Sequence, residues 1–199
     1  MVKTAVRPPA RRSSKRLPHK NASGIIPRFV VQAVKADAEV ERFKTSAAAR
    51  RFLSRILEEN GWAKVVVASD AARFLPKTRG IESLEPADPA VCARADAGLV
   101  AAGFGIAATG TLVHLDTGDR DRIAWTLPPV CLCFLRAGSI VPELEDIVDR
   151  MAGHLRRGQK PGFAQVSLVT GPSRTADIEA ELTLGVHGPG RLIILLYGP

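Results

Sequence analysis

The chain has 199 residues, of which 46% are apolar and 24% charged, with a net charge of +8 and three cysteines. That length supports one sizeable core, and no apolar run reaches the roughly 18 residues that a membrane helix needs. Nine of the 28 basic residues (Lys3, Arg7, Arg11, Arg12, Lys15, Arg16, Lys20, Arg28 and Lys35) and none of the 20 acidic ones lie in residues 1–36. The rest is therefore close to neutral and offers no basic face for nucleic acid.

Residues 1–36 read as a basic, flexible extension, because a Pro- and Ser-containing basic stretch has little apolar area to offset the entropy of ordering. Residues 37–199 read as a single α/β domain without internal repeats. The extension has no apolar segment after its charges, so a secretory signal is not expected, and Arg11-Arg12 lacks the rest of a twin-arginine signal. A cytoplasmic location follows as the default. A second use of the extension, as an anchor for nucleic acid or anionic lipid, is disfavoured.

Within the domain, Asp37 to Glu59 predicts a helix from the spacing of Val40, Phe43, Ala47, Phe52, Ile56 and Leu57, with Asn60-Gly61 as its stop. Lys64 to Ser69 predicts a buried strand. Residues 76–95, interrupted by Pro76, Gly80, Pro86 and Pro89, predict a connection with at most a short helix. Ala97 to Leu115 predicts two or three short strands with tight turns at Gly103 and Thr109-Gly110. Arg122 to Leu135 predicts another strand, and Ile140 to Met151 a helix opened by Pro142. Ala164 to Thr170 and Arg191 to Tyr197 predict strands, the latter almost wholly apolar. Buried strands separated by helices imply a mainly parallel sheet covered on both faces.

The segment after Thr170-Gly171 holds the densest set of polar side chains. Ser173 and Thr175 are helix-capping types, the N–H groups of a helix start attract anions, and Arg174 adds a forked donor for phosphate or carboxylate. In the plainer reading, the hydroxyls cap a turn and Arg174 pairs with an acid such as Glu143. Asp177, Glu179 and Glu181 alternate with apolar residues, which favours a strand with the three acids on one face, or a short helix in the competing reading. His187, between glycines, could be a base or only a packed turn residue. Cys92, Cys131 and Cys133 form no C-x-x-C pair and are expected as buried thiols. No dinucleotide loop, phosphate loop, nucleophile elbow, zinc motif or iron–sulfur cysteine set is present, so no cofactor, metal or catalytic residue is assigned.

Four runs resemble a known family: GPSRTADIEAELTLGVHGP, GIAATGTLV (Gly105 to Val113), RIAWTLPPV (Arg122 to Val130) and IVPELEDIV (Ile140 to Val148). Together they are similar to the LUD domain of the lactate-utilisation protein C family, over about residue 37 to the end. The resemblance implies a three-layer α/β/α fold with a mainly parallel sheet, akin to the NagB, ribose-5-phosphate isomerase and coenzyme A transferase group. It also implies an accessory, cluster-free subunit of a system that oxidises L-lactate to pyruvate, partnered by iron–sulfur proteins. Thr109, Gly110 and Thr111 match the family's TGT turn. Gly171, Ser173, Arg174, Thr175, Asp177, Glu179 and His187 match its second motif, and together these residues are the expected ligand-binding set. The chain departs from the family pattern at Ala108 (commonly Glu), at Trp125-Thr126 (commonly Ser-Leu) and at Cys131 (often His). The alternative is a stand-alone enzyme or sensor for a small anion such as a phosphorylated sugar, a carboxylate or a coenzyme A thioester; a homo-oligomer is compatible with either.

Overall fold

The structure is a computed structural model and describes residues 22–77, 80–86, 88–116, 121–149, 165–176, 182–184 and 188–199. Helix α1 (Ala22–Lys35) lies in the span expected to be a flexible extension. Phe29 and Ala33 are fully buried in the main core, with Ile25, Ile26 and Val30 packed beside them. The apolar stripe of this helix was legible in the sequence; averaging the composition over a basic segment hid it. The packed domain thus extends to the N-terminal side of residue 37.

The helix expected over 37–59 is two elements. Asp37, at φ 60°, ends the turn after α1. Strand β1 (Glu39–Phe43) follows, its glutamates exposed and Val40 and Phe43 half-buried. Helix α2 (Ser46–Glu59) begins only at Thr45, whose extended backbone and hydroxyl cap the Ala48 N–H at 3.2 Å. It buries Ala49, Leu53, Ile56 and Leu57.

Strand β2 (Lys64–Val67), a 3-10 turn (Ala72–Phe74), β3 (Glu82–Leu84), α3 (Pro89–Cys92) and β4 (Ala97–Ala102) come next. The glycine-rich stretch then gives β5 (Phe104–Ile106) and β6 (Thr111–Asp116), so the stretch holds three strands. Arg122 to Leu135 is not one strand: α4 (Asp121–Thr126) precedes β7 (Val130–Arg136), with Pro128 and Pro129 between them. An acid opens this helix and the prolines close it, whereas apolar content alone had suggested a strand. Similarly, β8 (Ile140–Val141) precedes Pro142, and helix α5 spans residues 144–149 of the described chain. The chain continues through β9 (Gln165–Val169), β10 (Arg174–Ala176), β11 (Leu182–Leu184) and β12 (Arg191–Tyr197).

Six strands form a sheet in the order β1-β12-β7-β4-β2-β3, and all five pairings are parallel. Its central strands are nearly continuous apolar runs, Leu192 to Leu196 and Val130 to Leu135 being buried throughout, as strands covered on both faces must be. Helices α1, α2 and α4 flank it, in accord with the expected α/β class. A second, mixed sheet, β8-β5-β6-β9, encloses a small core of Ile106, Val113, Val141 and Ile147. The hairpin β10–β11 forms a third, two-stranded sheet.

Candidate functional site

The second sheet brings together residues 59 apart in sequence. β6 and β9 pair antiparallel with Leu112 opposite Val169, which sets Thr111 beside Thr170. The Thr111 hydroxyl lies 2.6 Å from that of Thr109 and 2.7 Å from that of Thr170, a ladder of three. Thr111 is buried, while Thr109 and Thr170 are exposed, so the ladder opens to solvent at both ends. Gly110 (φ 69°) and Gly171 (φ 71°) shape the two turns. A Cβ on Gly110 would lie 2.2 Å from the Ala33 nitrogen, and one on Gly171 would lie 2.0 Å from the Ala36 oxygen. Only glycine lets both turns seat against the end of α1.

The structure therefore unites Thr109, Gly110, Thr111 and Gly171 of the expected ligand-binding set. Ser173 lies at the other end of the same turn, its N–H donating to the Pro189 carbonyl at 2.8 Å. Two expectations change here. Among the described residues no helix opens after Thr170; Arg174, Thr175 and Ala176 form β10, so residues 171–176 supply no helix N-terminus for an anion. Moreover, β9 belongs to the mixed sheet, and the rule that ligands sit beyond parallel strand ends does not apply to it. Glu143 pairs with Arg28, at 2.9 Å. Asp177, Glu179, Glu181 and His187 lie outside the described residues, as do the side chains of Arg174 and Thr175.

That rule instead selects the carboxyl end of β2. Adjacent strands β2 and β4 run parallel, yet the chain leaves β2 for β3 on one side and leaves β4 to return as β7 on the other. This reversal is the point at which open α/β sheets place their ligands. Ser69 and Asp70 follow β2 there. Asp121, buried at the start of α4, accepts the Ser69 N–H at 2.9 Å on one oxygen and the Ser69 hydroxyl at 2.5 Å on the other. Asp70 faces His114 of β6, with Oδ2 and Nδ1 3.6 Å apart. The His114 side chain is 1% exposed and that of Asp70 is 37% exposed. The His114 and Trp125 ring centroids are 4.8 Å apart, and the buried Trp125 Nε1 has no hydrogen-bond partner among the described residues.

Burial pushes the Asp70 carboxyl up to about 6; His114 and the Ala101 N–H pull it down, Asp121 pushes it up, and Arg73 pulls it down. A partly exposed carboxylate whose proton affinity is raised in this way is suited to proton transfer. These four residues, Ser69, Asp70, His114 and Asp121, were missed from sequence. A usable signal existed for two of them, since Ser69-Asp70 directly follows a buried strand. His114 looked like one more member of an apolar run.

The LUD domain family pattern matches residues 90–197, more than half of the chain. The chain belongs to the LUD domain family. It is similar to lactate utilization protein C of Anoxybacillus flavithermus, with 31% identity over 159 residues that cover 72% of this chain and 67% of that one. It is also similar to protein YkgG of Escherichia coli, with 28% identity over 140 residues, 70% of this chain and 58% of that one. The chain thus spans about two thirds or less of these relatives. Among solved structures, a DUF162 family protein from Deinococcus radiodurans superposes with a TM-score of 0.67 at 24% identity, covering 89% of this chain and 99% of that one. That likeness concerns the fold.

In this LUD domain, one of the three departures, Trp125, lies at the β2 end. Trp125 packs on His114, and Cys131 is buried in β7 next to β4, opposite Gly98, where burial pushes its thiol up to about 12. All three cysteines are free and buried, and among the described residues no group of His, Cys, Asp and Glu is arranged for a metal ion. Ala108 is half-buried, and its N–H donates to the Pro142 carbonyl at 3.0 Å.

Proposed function

We propose that this LUD domain protein serves lactate utilisation in the cytoplasm, as an accessory subunit beside iron–sulfur partners in the oxidation of L-lactate to pyruvate. The observation that carries the reading is the 31% identity to a protein named lactate utilization protein C, across 67% of that protein. The three buried cysteines, of which only Cys131 and Cys133 are neighbours, support a subunit that leaves cluster ligation to its partners. The Thr109–Thr111–Thr170 ladder, with Gly171 and Ser173, is the proposed cleft for a small anion, because hydroxyls open at both ends can donate to carboxylate or phosphate oxygens. Among the described residues no helix is long and apolar enough to cross a membrane. Deleting the gene tests the role: growth on L-lactate is lost while growth on glucose is kept, and undiminished growth on L-lactate in a strain without another lactate-oxidising enzyme refutes it.

A stand-alone enzyme is the second reading, and the Asp70–His114 arrangement favours it.

A further inference from the structure

The carboxyl end of β2 is layered. His114 arrives from the second sheet, is sealed from solvent and rests on the indole of Trp125; Asp70 stands in front of it and is more than a third exposed. Asp121 is 8% exposed, and its two oxygens accept from the Ser69 N–H and hydroxyl. It fixes the turn that carries Asp70. Trp125 is 97% buried, and its N–H has no hydrogen-bond partner among the described residues, so the wall on which His114 rests is dry.

We propose that Asp70 and His114 form a proton-transfer site for a small 2-oxo acid at the junction of β2 and β4, with Asp70 exchanging the proton and His114 positioning its carboxylate from behind. The substrate class rests on the lactate-utilisation reading; the site rests on its own geometry. The charged and titratable groups facing Asp70 are His114 from β6, Asp121 from α4, Arg73 from the 3-10 turn and the Cys133 thiol from β7, and the Ala101 N–H of β4 bonds to it. The raised proton affinity of Asp70 fits this use, because a base titrating near working pH is both ionised and receptive. Arg73, whose guanidinium lies over the Phe74 ring, adds positive charge within reach of Asp70.

In the step, the Asp70 carboxylate takes a proton from the carbon next to the carbonyl. The C–H electron pair becomes the carbon–carbon double bond, and the carbonyl π pair moves onto oxygen, giving an enolate. Asp70 exchanges its proton with solvent and returns one to the same carbon as the double bond reverts. No electron is gained or lost overall.

The test uses the whole chain with pyruvate in deuterium oxide, following loss of the methyl proton signal by NMR. Exchange rises with pH through a midpoint of about 6, and Asp70→Asn lowers it by about 100-fold or more. Asp70→Glu keeps the carboxylate and recovers part of the rate. His114→Gln moves the midpoint upward, because the histidine lowers the Asp70 pKa; a purely structural role would change the amount of folded protein and leave the midpoint in place. Exposed Lys44→Gln leaves the profile unchanged. Overturning results are exchange no faster than in buffer with the wild-type protein, equal exchange in Asp70→Asn, or an unmoved midpoint in His114→Gln. Lost lactate growth on gene deletion without any exchange would retire this site and keep the lactate role; exchange with normal lactate growth would do the reverse.

Discussion

Asp70 carries a cost that its neighbours only partly offset. Burial raises its pKa from 3.8 to about 6, so the folded protein holds this proton more tightly than the unfolded chain. Between these values the native state binds more protons, and stability falls as pH rises. Asp70→Asn removes that contribution: the urea midpoint of the variant is predicted to lose this slope between about pH 4 and 6, and a parallel slope in both proteins would contradict the assignment. Gly110 makes a different demand. Its φ of 69° and the 2.2 Å gap to Ala33 leave no room for a methyl group. Gly110→Ala is therefore predicted to destabilise by at least about 1–3 kcal/mol, read from chemical denaturation, and to displace α1 from the TGT turn.

Helix α1 shows how an element can be hidden by its surroundings. Its apolar residues, Ile25, Ile26, Phe29, Val30 and Ala33, follow helical spacing, but they sit among basic residues that dominate any average of composition. Phe29→Ala opens a cavity under the second sheet and is predicted to cost about 3–5 kcal/mol; a loss below about 1 kcal/mol, measured by denaturant titration, would show that α1 is not integral to the core. The split of residues 37–59 into β1 and α2 was legible in Thr45, a capping residue four positions before Ala49, the first buried residue of α2. The prolines after α4 carried the same kind of information. Punctuation by caps and prolines separated these elements better than apolar content did, since a core helix and a core strand differ little in composition.

For the molecule as a whole, the parallel sheet and its last apolar strands follow from sequence because each is a local run of buried residues. The site does not, because it is assembled from β2, β6 and α4, and no local pattern joins Asp70 to His114 or Asp121. The motif residues around Gly171 identified the family, yet Thr109, Thr111 and Thr170 meet only through the register of β6 with β9. Sequence thus located the recognisable turn, and topology located the titratable pair at the strand reversal. On the proposed function both serve lactate utilisation, and complementation joins them in one measurement. In a strain lacking the gene, the wild-type chain is predicted to restore growth on L-lactate, while Asp70→Asn, present at equal soluble level, does not. Full restoration by Asp70→Asn would contradict the account.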